Sequence, residues 1–247
     1  MLDQHFVRSF LQGIILVASI LLAFAIDAWW NELEEEEEAR ALLQAFRIEL
    51  SENMQRMDEE IAFRQAKRAS VERMLLASIG EVTLQDGEMD SLINDITHWG
   101  ETNFETGALS ALVDSGKLAW VDSLELRAAL ASWPQRVEDY VGIEEQDHRR
   151  IETYLFPYLT SRASFPKISN AWRGRPGDTT GTIYVPDNKG LMPDPYPRNH
   201  NLLLQESEFI SIITMVMWDQ SDGLFMAKAW VEQANALDTQ IAEFLEN

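Results

Sequence analysis

Residues 10–50 read FLQGIILVASILLAFAIDAWWNELEEEEEARALLQAFRIEL, and this stretch changes character twice. From Phe10 to Ile26 it carries no charge and is interrupted only by Gln12, Gly13 and Ser19. These seventeen residues make ~25 Å of helix against a hydrocarbon core of ~30 Å. Phe6 and Val7 before them and Ala28-Trp29-Trp30 after them bring the helix to spanning length. Asp27, Trp29 and Trp30 then fall at the membrane interface, where a Trp pair is at home and a carboxylate reaches interfacial water. Ala23-Phe24-Ala25 also matches a signal-peptide cleavage pattern. No Gly or Pro breaks the helix before that site, however, and the n-region offers only Arg8 as a basic side chain. Residues 1–30 are therefore expected to remain as a transmembrane anchor.

Arg8 and the terminal amine precede the span, and the next basic residue after it is Arg40. The positive-inside rule favours a cytoplasmic N-terminus and an extracytoplasmic body. Glu34 to Glu38 are consecutive, so on a helix their carboxylates point all ways round. They read as a solvated acidic collar rather than as ligands converging on calcium.

Beyond the collar the period is helical. Leu43, Phe46, Leu50, Met54, Met57 and Ile61 recur at steps of three and four, and the stripe resumes at Val71, Leu75 and Ile79. Arg64 and Arg68 fall on the same stripe and are expected to lift their charged heads out of the seam. No Pro or Gly occurs between Phe24 and Gly80. One helix should therefore continue out of the bilayer and stop at Gly80. Shorter helices are expected at Glu88–Thr97, Phe104–Val113, Ser123–Trp133 and Val137–Leu155, punctuated by Ser115-Gly116, Pro134 and Pro157. A second long helix should run from Ser207 to about Leu245, with Gly223 as a kink site, and pack antiparallel along the first. The expected fold is all-α, without a solenoid repeat. It comprises an anchor (1–30), a helical domain (31–160), a Pro/Gly-rich basic loop segment (161–200) and a C-terminal helix completing the bundle (201–247).

Segment 161–200 departs in composition. It holds six of the eight prolines, six basic residues and three acidic ones, in a chain of formal net charge −21. Arg162, Lys167, Arg173, Arg175, Lys189 and Arg198 form a candidate surface for an acidic partner. Intramolecular compensation of the acidic helices is the competing reading. Thr182–Val185 is a candidate short strand.

The same charge makes nucleic-acid phosphates and anionic lipids poor partners. With no Cys there is no thiolate nucleophile and no Cys-ligated metal site. Glu145-Gln146-Asp147-His148 and Asp95-Ile96-Thr97-His98 each set a carboxylate three residues before a histidine. A di-iron bundle needs two E-x-x-H motifs and two more inward-facing glutamates, so no metal or other cofactor is expected. G-x-S-x-G, G-x-G-x-x-G and H-E-x-x-H are missing, and Ser115-Gly116-Lys117 lacks the upstream glycine of a phosphate-binding loop. No enzymatic activity is expected.

The juncture Leu21-Leu22-Ala23-Phe24-Ala25-Ile26-Asp27-Ala28-Trp29-Trp30-Asn31-Glu32, followed by Leu42-Leu43, resembles a family of uncharacterised bacterial single-pass membrane proteins. In that family an apolar helix ends in an Ile-Asp-x-Trp-type juncture and enters a long charged helix. The segment from Ala108 to Leu118, followed by Leu124-Glu125-Leu126-Arg127, is similar to the family's middle helical segment. The likeness covers roughly residues 10–160, fades across the proline-rich segment and brings no catalytic residues. It implies a membrane-anchored helical domain in the bacterial inner membrane. The expected role is that of an accessory or scaffolding subunit of a larger membrane complex, of respiratory or photosynthetic type for instance. Its partners would be the membrane and other subunits, or further copies of itself through the long helices. An extracytoplasmic ligand-binding or sensor bundle working through a separate transducer is the alternative.

Overall fold

The computed structural model describes residues 2–85, 87–170 and 199–246. Among them every regular element is helical. The α-helices are α1 (Leu2–Ser78), α2 (Glu88–Ile96), α3 (Gly107–Asp114), α4 (Leu124–Arg150), α5 (Phe156–Arg162), α6 (Phe165–Asn170) and α7 (Ser207–Glu246). Short 3-10 turns cover Lys117–Trp120 and His200–Gln205, and a π-helical turn covers Ile151–Leu155. The candidate strand at Thr182–Val185 lies outside the described residues.

The long helices share one pattern. Phe63 and Ser70 are buried on α1 beside a seam formed by Ala39, Leu43, Phe46, Leu50, Asn53, Met57, Glu60, Arg64, Lys67, Val71 and Met74. The seam's spacing alternates strictly between four and three, the 3.5-residue heptad period of a coiled coil. On α7, Phe209, Ile213, Val216, Gln220, Gly223, Ala227, Trp230, Ala234, Leu237 and Ile241 do the same. On α4 the series is Leu126, Leu130, Trp133, Val137, Tyr140, Glu144 and Asp147, and it continues to Ile151 in the π-helical turn.

The expected α1 stripe is therefore corrected beyond Leu50. Met54, Ile61 and Leu75 are half-buried and Ile79 is exposed, while Asn53, Glu60 and Lys67 take the interior positions. Arg68 is exposed as expected, but Arg64 is fully buried. The helix ends as the sequence predicts, with Gly80 at φ 82°. Glu81 N donates to Leu76 O and Gly80 N to Ala77 O, the paired bonds of a Schellman cap.

Pro134 does not end a helix, because α4 runs through it. Its ring lies on the exposed side, while neighbouring Trp133 is buried and packs against Trp230, with ring centroids 5.2 Å apart and planes tilted by 53°. Packing of that face outweighs the single hydrogen bond that a proline removes. Pro157 takes effect earlier than expected. It has no N–H for the carbonyl one turn back, and the preceding turn is π-helical. The extra residue exposes Tyr154 and brings Leu155 inward.

The chain forms two compact units, each drawn from separated stretches. The first comprises Met1–Glu49, Thr106–Ala131 and Gln240–Asn247. Its interior holds Leu43, Phe46, Leu109, Leu112, Val121, Leu126, Leu130 and Ile241. Each such side chain contributes ~1.5–3 kcal/mol on burial. The second unit comprises Leu50–Glu105 and Ser132–Thr239. There α1 and α7 run antiparallel, with Arg64 against Gly223 and Lys67 and Gln220 meeting on Asp147. One apolar core of this unit gathers Val71, Met74, Ile93, Ile96, Leu155, Leu159, Phe209 and Ile213.

Candidate functional site

Three constellations of residues stand out. The first is the juncture. Among the described residues one helix, α1, is long and apolar enough to cross a membrane, and none of its apolar window is buried in the protein. Ile26, Trp29 and Trp30 are 55%, 59% and 61% exposed, and Asp27 is exposed with them. The one hydroxyl in this stretch is satisfied locally, since Ser19 Oγ donates to Ile15 O at 2.8 Å. Internal satisfaction is what a hydrocarbon surround demands.

The second is a buried polar stretch of the α1 seam, in the second unit. Arg64 Nε stands 2.8 Å from Glu60 Oε1 and donates to Tyr140 Oη at 3.2 Å. Lys67 Nζ donates to His98 O at 2.8 Å and to both oxygens of Asp147 at 3.3 and 3.4 Å. Gln220 Nε2 adds a bond to Asp147 Oδ2 at 3.1 Å. Glu144 accepts from Thr102 N at 3.0 Å and Thr102 Oγ1 at 2.6 Å. Asn53 pairs in both directions with the backbone of Glu105, at 2.7 and 2.8 Å.

Half of these bonds lead to one place. Residues 98–106 have no regular structure, so their backbone groups lack helical partners. Asn53, Lys67 and Glu144 supply those partners, and Arg56 adds one through Asn103 O at 2.7 Å. Irregular backbone can be covered only where each polar group finds a partner, and the charged seam provides them. Two glycines make room. An added Cβ at Gly100 would overlap the Glu60 carboxylate, and one at Gly223 would overlap Arg64 Nη1 and lie 2.7 Å from its Cζ.

Burial sets the electrostatics of this stretch. It lowers the Lys67 pKa, against the pull of Asp147. Burial also works against the Arg64 charge, but Tyr140, Glu60 and Asp147 outweigh it and raise the pKa. Glu144 is pushed up to about 7 by burial, partly offset by the bonds from Thr102. Asp219 is likewise raised by burial, although Arg150 Nη1 stands 2.5 Å from its Oδ1.

The third constellation is Asp90, His200 and Ser164. His200 Nε2 accepts the Ser164 backbone N–H at 2.8 Å, which leaves Nδ1 to donate to Asp90 Oδ1 at 2.6 Å. The residue types are those of a hydrolase triad. Here, however, the Nε2 lone pair that would take the serine proton is committed to a backbone amide. The arrangement ties α2 to chain positions 36 residues apart.

No family model, curated protein or solved structure matches this chain. The site is therefore read from its own geometry.

Asp27, Trp29 and Trp30 lie together on the exposed end of the apolar stretch. Arg162 is paired with Glu206 and lies 5.5 Å over the Tyr158 ring, so its charge is engaged within the chain. Lys167 is half-buried on α6. Arg173, Arg175, Lys189 and Arg198 lie outside the described residues. In the two carboxylate–histidine motifs, Glu145 is exposed and His148 stacks on Trp99 at 3.9 Å. Asp95 accepts from Ser70 Oγ at 2.6 Å, and His98 Nδ1 lies 2.7 Å from Asn94 O. Among the described residues no group of three or more His, Cys, Asp or Glu side chains is arranged to hold a metal ion. Sequence reasoning missed Asn53, Glu60 and Lys67. Their three-and-four spacing with Leu50, Met57 and Val71 was the available signal.

Proposed function

We propose that this chain is a membrane-anchored, non-enzymatic interaction protein, an accessory or scaffolding subunit of a larger bacterial membrane assembly. Residues 1–30 serve as its inner-membrane anchor, with the N-terminus cytoplasmic and the body outside. The observation that carries this reading is that one unbroken helix holds both an exposed apolar stretch of spanning length and a strict heptad seam. Polar residues at seam positions fix register at a cost in stability, as a part that must present its surfaces in one alignment requires. The polar groups most suggestive of chemistry support the same reading. Lys67 and Asp147 bond each other, and Glu144 and His200 bond backbone amides. The resemblance of the juncture to single-pass membrane proteins belongs to this proposal too.

Extraction of the native membrane in mild detergent, followed by mass measurement of the eluted particle, tests it. The expected result is a particle heavier than one chain, containing defined co-eluting subunits or further copies of this one. A lone monomer would refute the proposal.

A further inference from the structure

We infer that the turn joining α3 to α4 is a second membrane contact, seated in the zwitterionic headgroup layer beside the span. The inference rests on residues 1–30 crossing the bilayer, and it uses the first unit alone. Glu35 and Glu38 lie about 8 and 12 Å along α1 from Trp30, just beyond a headgroup layer of roughly 5–8 Å. Ala108 N donates to Glu49 Oε1 at 2.8 Å, whereas Lys117 Nζ lies 2.5 Å from Glu35 Oε2 and 2.6 Å from Glu38 Oε2. Between Ala108 and Lys117 the chain thus descends α1 by about 17–21 Å toward the membrane end. It reverses there, and α4 climbs away with Leu126 and Leu130 buried. The turn is the membrane-facing tip of this unit.

The tip is built firmly. Gly116 at φ 75° permits the reversal, and Arg127 Nε and Nη2 hold Val121 O at 3.1 and 2.8 Å. Ser123 Oγ accepts from Leu126 N at 3.2 Å and starts α4. Such a frame holds apolar side chains outward at no cost in local order. Leu124 is 78% exposed, the highest value for a large hydrophobic residue among those described. Ala119 is exposed beside it in the turn, and Leu33 on α1 and Val113 on α3 are each more than a third exposed.

Charge selects the lipid. Lys117 is engaged by Glu35 and Glu38, and Asp114, Asp122 and Glu125 are exposed around the tip. These carboxylates repel anionic headgroups and tolerate choline or ethanolamine, whose ammonium lies outermost. The occupant is therefore a zwitterionic lipid surface, continuous with the one that surrounds the span.

The chain has no cysteine, so single cysteines can be labelled cleanly. Full-length Ile26→Cys, Ile48→Cys and Leu124→Cys, all at exposed positions, would carry an environment-sensitive fluorophore in phosphatidylcholine nanodiscs. Spin-labelled lipids would serve as quenchers. The expected result is loss of Ile26-site fluorescence to an acyl-chain label and loss of Leu124-site fluorescence to a headgroup label. The Ile48 site, about 27 Å past Trp30, keeps its fluorescence with both. Addition of anionic lipid should restore part of the Leu124-site signal. If the Ile26 site escapes lipid quenching, the anchor reading fails and takes this inference with it. If the Ile26 site is quenched but the Leu124 site behaves like the Ile48 site, the inference alone is overturned. Protection of the Leu124 site from lipid and aqueous quenchers alike would mean that protein covers the tip, which overturns it as well.

Discussion

Replacing Gly223 with alanine should destabilise this protein, although alanine is the better helix former. In an open helix interior the exchange is worth about 1 kcal/mol in favour of alanine. At Gly223 the added methyl would overlap Arg64 Nη1 and lie 2.7 Å from Cζ. Arg64 is fully buried and held between Glu60 and Tyr140, so its guanidinium has no free space to enter. Displacing it breaks a buried ion pair, for which a cost of about 3–5 kcal/mol is typical. The net expectation is a loss of roughly 2–4 kcal/mol, or a fall in Tm of about 5–15 °C for a chain of this size. Gly142 supplies the control, since it lies inside α4 with nothing within 4 Å of an added Cβ. Gly142→Ala should raise Tm by a few degrees, and thermal melting of the full chain in mild detergent, followed by far-UV circular dichroism, reads both variants. Combining Gly223→Ala with Arg64→Met should cost less than the two single effects together, because the clash disappears with the guanidinium. If Gly223→Ala melts as high as Gly142→Ala, the close packing of Arg64 on α7 is wrong.

Three further outcomes follow from the polar seam and the histidine clasp. The folded-state pKa of Glu144, about 7, lies above its ordinary 4.5, so its contribution to stability is complete below pH 4.5 and is lost as pH rises through about 7. At ~1.4 kcal/mol per pH unit this loss is roughly 3 kcal/mol, and Glu144→Gln should flatten the decline in melting temperature between pH 5 and 8; an unchanged slope would remove Glu144 as its source. Lys67→Met removes the nearer cation of buried Asp147, leaving Arg64 Nη1 at 3.8 Å, and should cost about 3 kcal/mol in denaturant titration, while adding Asp147→Leu should recover part of it. His200→Ala removes the acceptor of the Ser164 amide, and hydrogen exchange at that amide should quicken about 10- to 100-fold, in keeping with a lost buried bond of ~1–3 kcal/mol.

The broad architecture could be read from the chain because the 10–50 stretch and the α7 stripe obey simple periodicities, and Gly80 ends its helix by a mechanism that needs no tertiary information. The interior of α1 was harder to read. Hydropathy drew the stripe through Met54 and Ile61, since nothing local distinguishes a buried glutamate from a solvated one. Asn53 and Lys67 are interior because residues 98–106, distant in sequence, need hydrogen-bond partners at that level, and Arg64 is interior with Glu60 and Tyr140 as its partners. Pro134 misled for a related reason. A rule about local backbone chemistry was overridden by Trp133 packing on Trp230 from another helix. The clasp of His200 on Ser164 and Asp90 lay beyond sequence reading, since it joins three distant parts of the chain whose individual residues are unremarkable.

The π-helical turn at Ile151–Leu155 also bears on how such chains can change length. One surplus residue has been absorbed there by a local widening, and the next large apolar side chain, Leu155, still points inward. Between Ala39 and Met74 the alternation of four and three contains no comparable slack. A single inserted residue in that interval would rotate everything after it by about 100°. Insertion before Asn53 would turn the ionic side chains toward water and leave the 98–106 backbone unserved. Length variation in natural variants of this chain should therefore gather near the α4–α5 junction and be rare within the first helix after its acidic collar.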